Sequence, residues 1–178
     1  DRLYVWLADG SDPNNANVII TGRCGAGANF GNGHSAANKG IVLAAYDAMG
    51  ISLWVQSPNI TGGNEDEGNA VAVDELGNVY YTGRCNAPVY FGGTIMSGST
   101  GLFIASLSSS GGYRWAKRSG GGPGIGASIA IDTFGHVIVG GNVDNGTLFF
   151  DSTLGESGGS VSTPGPAQTT PWVAQFTK

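Results

Sequence analysis

Charge is scarce in this chain, with 8 Lys+Arg and 13 Asp+Glu among 178 residues and a net charge of −5. Nucleic acid and anionic lipid both require a basic footprint, so neither is an expected partner. Long apolar runs are missing as well: no stretch reaches about 18 apolar residues, and no membrane-inserting helix is expected. Cysteine is limited to Cys24 and Cys85, too few for a disulfide scaffold. His34 and His136 are the only histidines, and neither His-x-x-His nor Cys-x-x-Cys spacing occurs. A zinc site or a catalytic triad needs several converging partners, so both histidines read as ordinary polar positions. The sequence opens at Asp1 without a Met or a signal peptide, which reads as a processed chain or a piece of a longer one.

Glycine is in excess, at 32 of 178 residues, where about 7% is usual. The glycines keep no collagen period and fall between alternating apolar runs rich in Val, Thr and aromatics. That pattern predicts many short strands joined by tight turns. Low lysine with abundant Ser, Thr, Asn and Gly suits a protein working outside the cytoplasm.

The chain repeats itself. Asn17-Val18-Ile19-Ile20-Thr21-Gly22-Arg23-Cys24 returns 61 residues later as Asn78-Val79-Tyr80-Tyr81-Thr82-Gly83-Arg84-Cys85. A looser third copy, His136-Val137-Ile138-Val139-Gly140-Gly141-Asn142, follows after a further 58. Phe30, Phe91 and Phe149 keep this phase, as do Trp54 and Trp115. The third unit carries an extra Gly/Ser/Pro-rich insert from about Gly155 to Thr170. Each unit reads as four strands, represented by Ala70 to Asp74, Val79 to Gly83, Leu102 to Leu107 and Tyr113 to Lys117. Asp47, Asp74, Asp132 and Ser108 each stand three residues before a glycine. Their side-chain oxygens are expected to accept backbone N–H groups within the turn, while the glycine supplies positive φ. These carboxylates recur because hairpins recur, so a turn role is preferred to a catalytic one.

A four-stranded unit repeated without intervening helices predicts propeller blades. A sandwich would not repeat at a fixed period, and a β-helix would repeat at a shorter one. The expectation is an all-β chain, a β-propeller of about three four-stranded antiparallel blades forming one domain over 1–178. Its units cover approximately 1–62, 63–122 and 123–178. The run from Ala70 to Gly83, then Phe91-Gly92-Gly93, Gly101 to Gly111 and Trp115-Ala116-Lys117, resembles the SBBP-type β-propeller repeat, a similarity that extends over most of the chain. The resemblance implies an exported bacterial or archaeal surface protein and brings no catalytic residues with it. A closed ring takes about four to eight blades, and Lys178 follows directly on a third strand, so the setting is a larger ring or assembly. Three arrangements are open: a fragment of a longer propeller, which is favoured, two copies completing one ring, or head-to-tail strand donation in a fibre. Tyr4-Val5-Trp6 is either the first strand of the first unit or an echo of the fourth-strand run Tyr113-Arg114-Trp115.

Few positions offer chemistry. Glu65, Asp66 and Glu67 form the densest acidic cluster and are the candidate Ca²⁺ ligands; the alternating EF-hand ligand pattern is absent, and a solvated loop between blades is the preferred reading. No other cofactor is expected. Cys24 and Cys85 occupy equivalent places in successive units, beyond the about 7 Å Cα limit for bridging, so no disulfide is expected between them. Gly120 to Gly126 superficially resembles a phosphate loop but lacks the Lys-Ser/Thr ending and a following helix, and reads as an interblade loop. Trp54 and Trp115 are phase-locked to the repeat and should pack between blades. Trp172 follows Pro171, is less constrained, and is the candidate ligand-binding residue, a stacking surface for a glycan.

No enzymatic activity is expected. The leading function is an extracellular or cell-surface structural and protein-interaction module, acting through blade edges and loops on other copies of itself or on further blades of a longer chain. The alternatives are a carbohydrate-binding propeller and, last, a polysaccharide enzyme, which would need a carboxylate pair that nothing in the sequence singles out.

Overall fold

The computed structural model describes residues 3–7, 17–60, 66–86, 88–96, 101–150, 159–165 and 168–176. Among these, regular structure is all strand. The strands in chain order are β1 (Leu3–Leu7), β2 (Val18–Cys24), β3 (Asn29–Gly31), β4 (His34–Ser35), β5 (Gly40–Tyr46), β6 (Ser52–Gln56) and β7 (Asn59–Ile60). They continue as β8 (Glu67–Val73), β9 (Val79–Cys85), β10 (Val89–Phe91), β11 (Thr94–Met96), β12 (Gly101–Leu107) and β13 (Tyr113–Arg118). The last are β14 (Gly120–Gly121), β15 (Gly124–Ile131), β16 (Val137–Asp144), β17 (Thr147–Phe150), β18 (Gly159–Ser162) and β19 (Thr169–Phe176).

Two four-stranded antiparallel sheets run in the orders β1-β2-β5-β6 and β13-β12-β9-β8, and a three-stranded sheet runs β15-β16-β19. β1 pairs with β2 as β8 pairs with β9, which makes Tyr4-Val5-Trp6 a first strand. Sequence reasoning missed the small hairpins between the second and third strands of each unit. These are β3-β4, β10-β11 extended by β7, and β17 with β14 and β18; the phase-keeping Phe30, Phe91 and Phe149 lie on them. The Gly120–Gly126 segment departs from the expected loop. Gly120–Gly121 forms β14 and Gly124–Gly126 opens β15; at the second stretch the missing side chains allow close packing, since a Cβ on Gly124 would come within 2.5 Å of Leu148 and one on Gly126 within 1.9 Å of Thr82.

The turns form as their chemistry dictates. Asp74 Oδ1 accepts from the N–H groups of Leu76 and Asn78 at 3.0 and 2.9 Å, and Gly77 takes φ of +77°. Asp47 holds Met49 and Ile51, and Asp132 holds Phe134 and His136, in the same way.

The middle sheet is buried on both faces. On one side Val79, Tyr81, Phe103, Ala105 and Leu107 pack with Ile19, Ile41, Leu43 and Ala45 of the first sheet. On the other, Tyr80, Leu102 and Ile104 pack with Val137, Val139, Trp172 and Phe176 of the third. Alternation along β9 and β12 sends successive side chains to opposite sides, so a strand apolar throughout must be covered twice. Each large side chain buried this way is worth roughly 1.5–3 kcal/mol. Trp54 sits at the first junction, donating from Nε1 to the Ser109 carbonyl at 3.0 Å. Trp115 lies against the second cluster, its ring 6.0 Å from Tyr80. Both tryptophans thus pack between sheets, as their phase predicts.

One contact recurs at each junction. A Cβ on Gly68 would lie 2.0 Å from Thr21 Oγ1, and one on Gly126 would lie 1.9 Å from Thr82 Oγ1. Both threonines are fully buried and donate to the next strand, Thr21 to Val42 O at 3.0 Å and Thr82 to Phe103 O at 2.6 Å. The first strand of one unit thus lies directly on the second strand of the preceding unit. The register of each first strand shifts just beyond the glycine, at Asn69 and at Ala127. Asn69 turns this bulge to use, donating from Nδ2 to the Gly126 carbonyl at 2.9 Å.

Candidate functional site

The structure disperses the sequence-predicted acidic cluster. Glu65 lies outside the described residues. Asp66 is only 1% exposed; its Oδ1 accepts from the Asn86 N–H, and Oδ2 is buried without a partner. Burial raises the Asp66 carboxyl above its ordinary range, opposed by the Asn86 N–H and by the positive charges of Arg23 and Arg84. Glu67 begins β8, opposite Arg84. Asp66 therefore has arginines for neighbours, and among the described residues no group of three or more His, Cys, Asp or Glu is placed to hold a metal ion. What Asp66 does is structural. It sits over Gly40, whose Cβ would be 3.6 Å from its own, and joins the first sheet to the start of the β10 loop.

Trp172 departs from expectation. It is 5% exposed and part of the second core cluster. The cause is Gly141, its register partner on β16: a Cβ there would fall 2.7 Å from the Trp172 ring, so the indole fills the space the glycine leaves. A ring covered in this way offers no stacking face to a glycan.

Cys24 and Cys85 are free thiols. Burial pushes Cys85 up to about 12 and raises Cys24, so neither is an activated nucleophile. His34 Nδ1 meets Ser52 Oγ at 3.1 Å, joining β4 to β6, and His136 Nδ1 meets Asp132 Oδ2 at 2.7 Å within the β15–β16 turn. The string Gly155-Glu156-Ser157-Gly158-Gly159 has the spacing of a nucleophile elbow, a point sequence reasoning missed. An elbow requires a strand-to-helix turn; this string runs instead into β18, and its first four residues lie outside the described residues.

An unmatched surface lies on the third sheet. Tyr80 and Ile104 of the middle sheet are buried beneath the third sheet. The equivalent positions on the third sheet are Ile138, which follows Val137 as Tyr80 follows Val79, and Val173, which lies opposite Gly140 as Ile104 lies opposite Thr82. Ile138 is half-buried and Val173 is 76% exposed. The face that covers a neighbour in the first two sheets is open in the third. β19 is also the last strand of its sheet among the described residues, whereas β5 and β12 are each followed outward by a fourth strand.

No curated protein matches this chain. A family model described as a β-propeller repeat, SBBP, matches residues 60–88. That span runs from the end of β7 through β8, the Asp74 turn and β9, so the similarity to the SBBP β-propeller repeat falls on the first two strands of the second unit.

Proposed function

We propose that this chain is a non-enzymatic interaction module of an extracellular surface protein or filament, built from propeller blades. It works by stacking a further sheet of its own kind on the open face of its third sheet. The exposed Val173 carries the reading: its counterpart Ile104 is 1% exposed under a neighbouring sheet. Around it lie Ile138 and the small residues Ala130 and Gly140, with Ser128 and Gln175 on the same face by register, a mixed surface of mostly small side chains that a further sheet could pack on. At the two internal junctions a glycine lies on Thr21 or Thr82; at the open face Gly140 stands in the equivalent place, so a further sheet would meet a surface without that side chain. The turn carboxylates of Asp47, Asp74 and Asp132 are engaged by backbone N–H groups, which supports a structural rather than catalytic use of them. Low lysine and the exported character implied by the SBBP resemblance support the extracellular setting.

Native mass spectrometry across a concentration series tests this. The isolated chain, 18.0 kDa, should form multiples of its mass at micromolar concentration, and Val173→Asp should abolish them while leaving the monomer folded. A chain that stays monomeric throughout, or multiples indifferent to Val173→Asp, would refute it.

A further inference from the structure

A second surface, separate from the open face, lies at the end of the sheets where first strands turn into second and third into fourth. Met49, Leu76 and Phe134 occupy the same place in three such turns, two residues after Asp47, Asp74 and Asp132. They are 85%, 81% and 86% exposed. Single exposed apolar residues are ordinary, but this is one position filled three times. The turn does not require it: the fourth turn of the series, Ser108–Gly111, has Ser110 there and closes with the same Gly111 N–H to Ser108 carbonyl bond at 2.9 Å.

The tips share one end of the molecule. Gly77 and Ser109 bring the two turns of the middle sheet to 3.1 Å of each other on adding a Cβ. Trp54, three residues beyond Met49's turn, reaches the Ser109 carbonyl. Tyr80, Val137 and Phe176, which flank the turns of the middle and third sheets, share a core cluster. Each tip is held rather than loose, because its own N–H donates to the turn carboxylate at 2.9–3.0 Å. A backbone anchored in this way loses little further freedom on binding.

The charge around the tips selects a partner. Asp47, Asp74, Glu75 and Asp132 stand in these turns. At this end Arg114 donates to Tyr80 Oη and Ser106 Oγ, both at 3.1 Å, and His136 Nδ1 pairs with Asp132 Oδ2 at 2.7 Å. Arg23, Arg84 and Arg118 lie toward the opposite end by register. We propose that the turn end of the three sheets is a docking surface for a basic protein segment bearing apolar side chains, which Met49, Leu76 and Phe134 contact while the surrounding carboxylates attract its cations.

The test uses the intact chain and two short peptides, one alternating leucine with lysine and one alternating leucine with glutamate, followed by titration calorimetry. The lysine peptide should bind, weaken in high salt, and weaken at least about tenfold with Met49→Ser, Leu76→Ser and Phe134→Ser combined. Serine is the residue already tolerated in the fourth turn, so an unchanged melting curve for this variant is expected and separates lost binding from lost fold. Val173→Asp should leave peptide binding intact, which keeps this surface distinct from sheet stacking. The proposal is overturned if the lysine peptide fails to bind, if the glutamate peptide binds equally, or if the triple-serine variant binds as well as the parent. Adsorption of the parent chain to phosphatidylcholine vesicles, lost on Phe134→Ser, would assign the tips to a lipid surface instead. Self-association lost in the triple variant would assign them to a second copy.

Discussion

Substituting Gly126 with alanine tests the packing of one sheet on the next at its tightest point. The new Cβ would stand 1.9 Å from Thr82 Oγ1 and 3.0 Å from both Thr82 Cβ and Cγ2. Thr82 has no easy retreat. It is fully buried, β-branched and stiff at χ1, and its hydroxyl is committed to the Phe103 carbonyl. Relief therefore comes either from losing that hydrogen bond, at about 1 kcal/mol, or from parting the sheets by about 1 Å, which forfeits up to half the local dispersion attraction. With the usual cost of overpacking, about 1–3 kcal/mol, the expected loss is roughly 2–4 kcal/mol. Urea denaturation followed by tryptophan fluorescence measures it, with Gly25→Ala as the control. Nothing lies within 4 Å of a Cβ on Gly25, so that change should fall within about 0.5 kcal/mol of the parent. Adding Thr82→Ala to Gly126→Ala should return part of the loss, because the two residues are in contact and cannot act additively. Loss below about 0.5 kcal/mol for Gly126→Ala, or strict additivity of the pair, would refute the direct stacking of first strand on second.

Alkaline pH should unfold the protein in a defined window. Burial raises Tyr81 well above 10.0, Tyr113 to about 12 and Cys85 to about 12 from 9.0. In all three the folded state holds its proton longer than the unfolded chain does, so their contribution is complete below pH 9; for Tyr113 and Cys85 it is lost as pH rises through about 12, and Tyr81 adds to the loss in the same direction. A urea midpoint that stays flat from about pH 8 to 11 would contradict this. Asp74→Ala should cost about 1–2 kcal/mol, since the turn loses an acceptor for Leu76 and Asn78 and the partner of Tyr80 Oη. Asp74→Asn should cost less, because its amide oxygen still accepts both N–H groups; equal losses in thermal melts would count against the turn account.

Much of the architecture was legible in the sequence because local chemistry dictates it. The Asp-x-x-Gly turns at Asp47, Asp74 and Asp132 form from their own side chains, and the period of 61 then 58 residues marks equivalent strands wherever they pack. The apolar run Leu102 to Leu107 is buried on both faces, as a strand apolar at nearly every position must be. The small hairpins around Phe30, Phe91 and Phe149 escaped notice because strands of two to four residues, dense in Gly, Asn and Thr, leave no usable period.

Sequence alone thus determined the all-strand character, the turn type and the inter-sheet tryptophans, each a matter of residues near in the chain or locked to the repeat. Tertiary structure alone decided what became of the candidate site residues. Trp172 is buried because Gly141, thirty-one residues earlier, vacates the space for its ring. Asp66 is buried over Gly40, within the influence of Arg23 and Arg84, because the first strand of one sheet begins over the end of another. The open face around Val173 emerged only from comparing equivalent positions in three sheets, since exposure depends on what lies across a junction, and no local pattern encodes that.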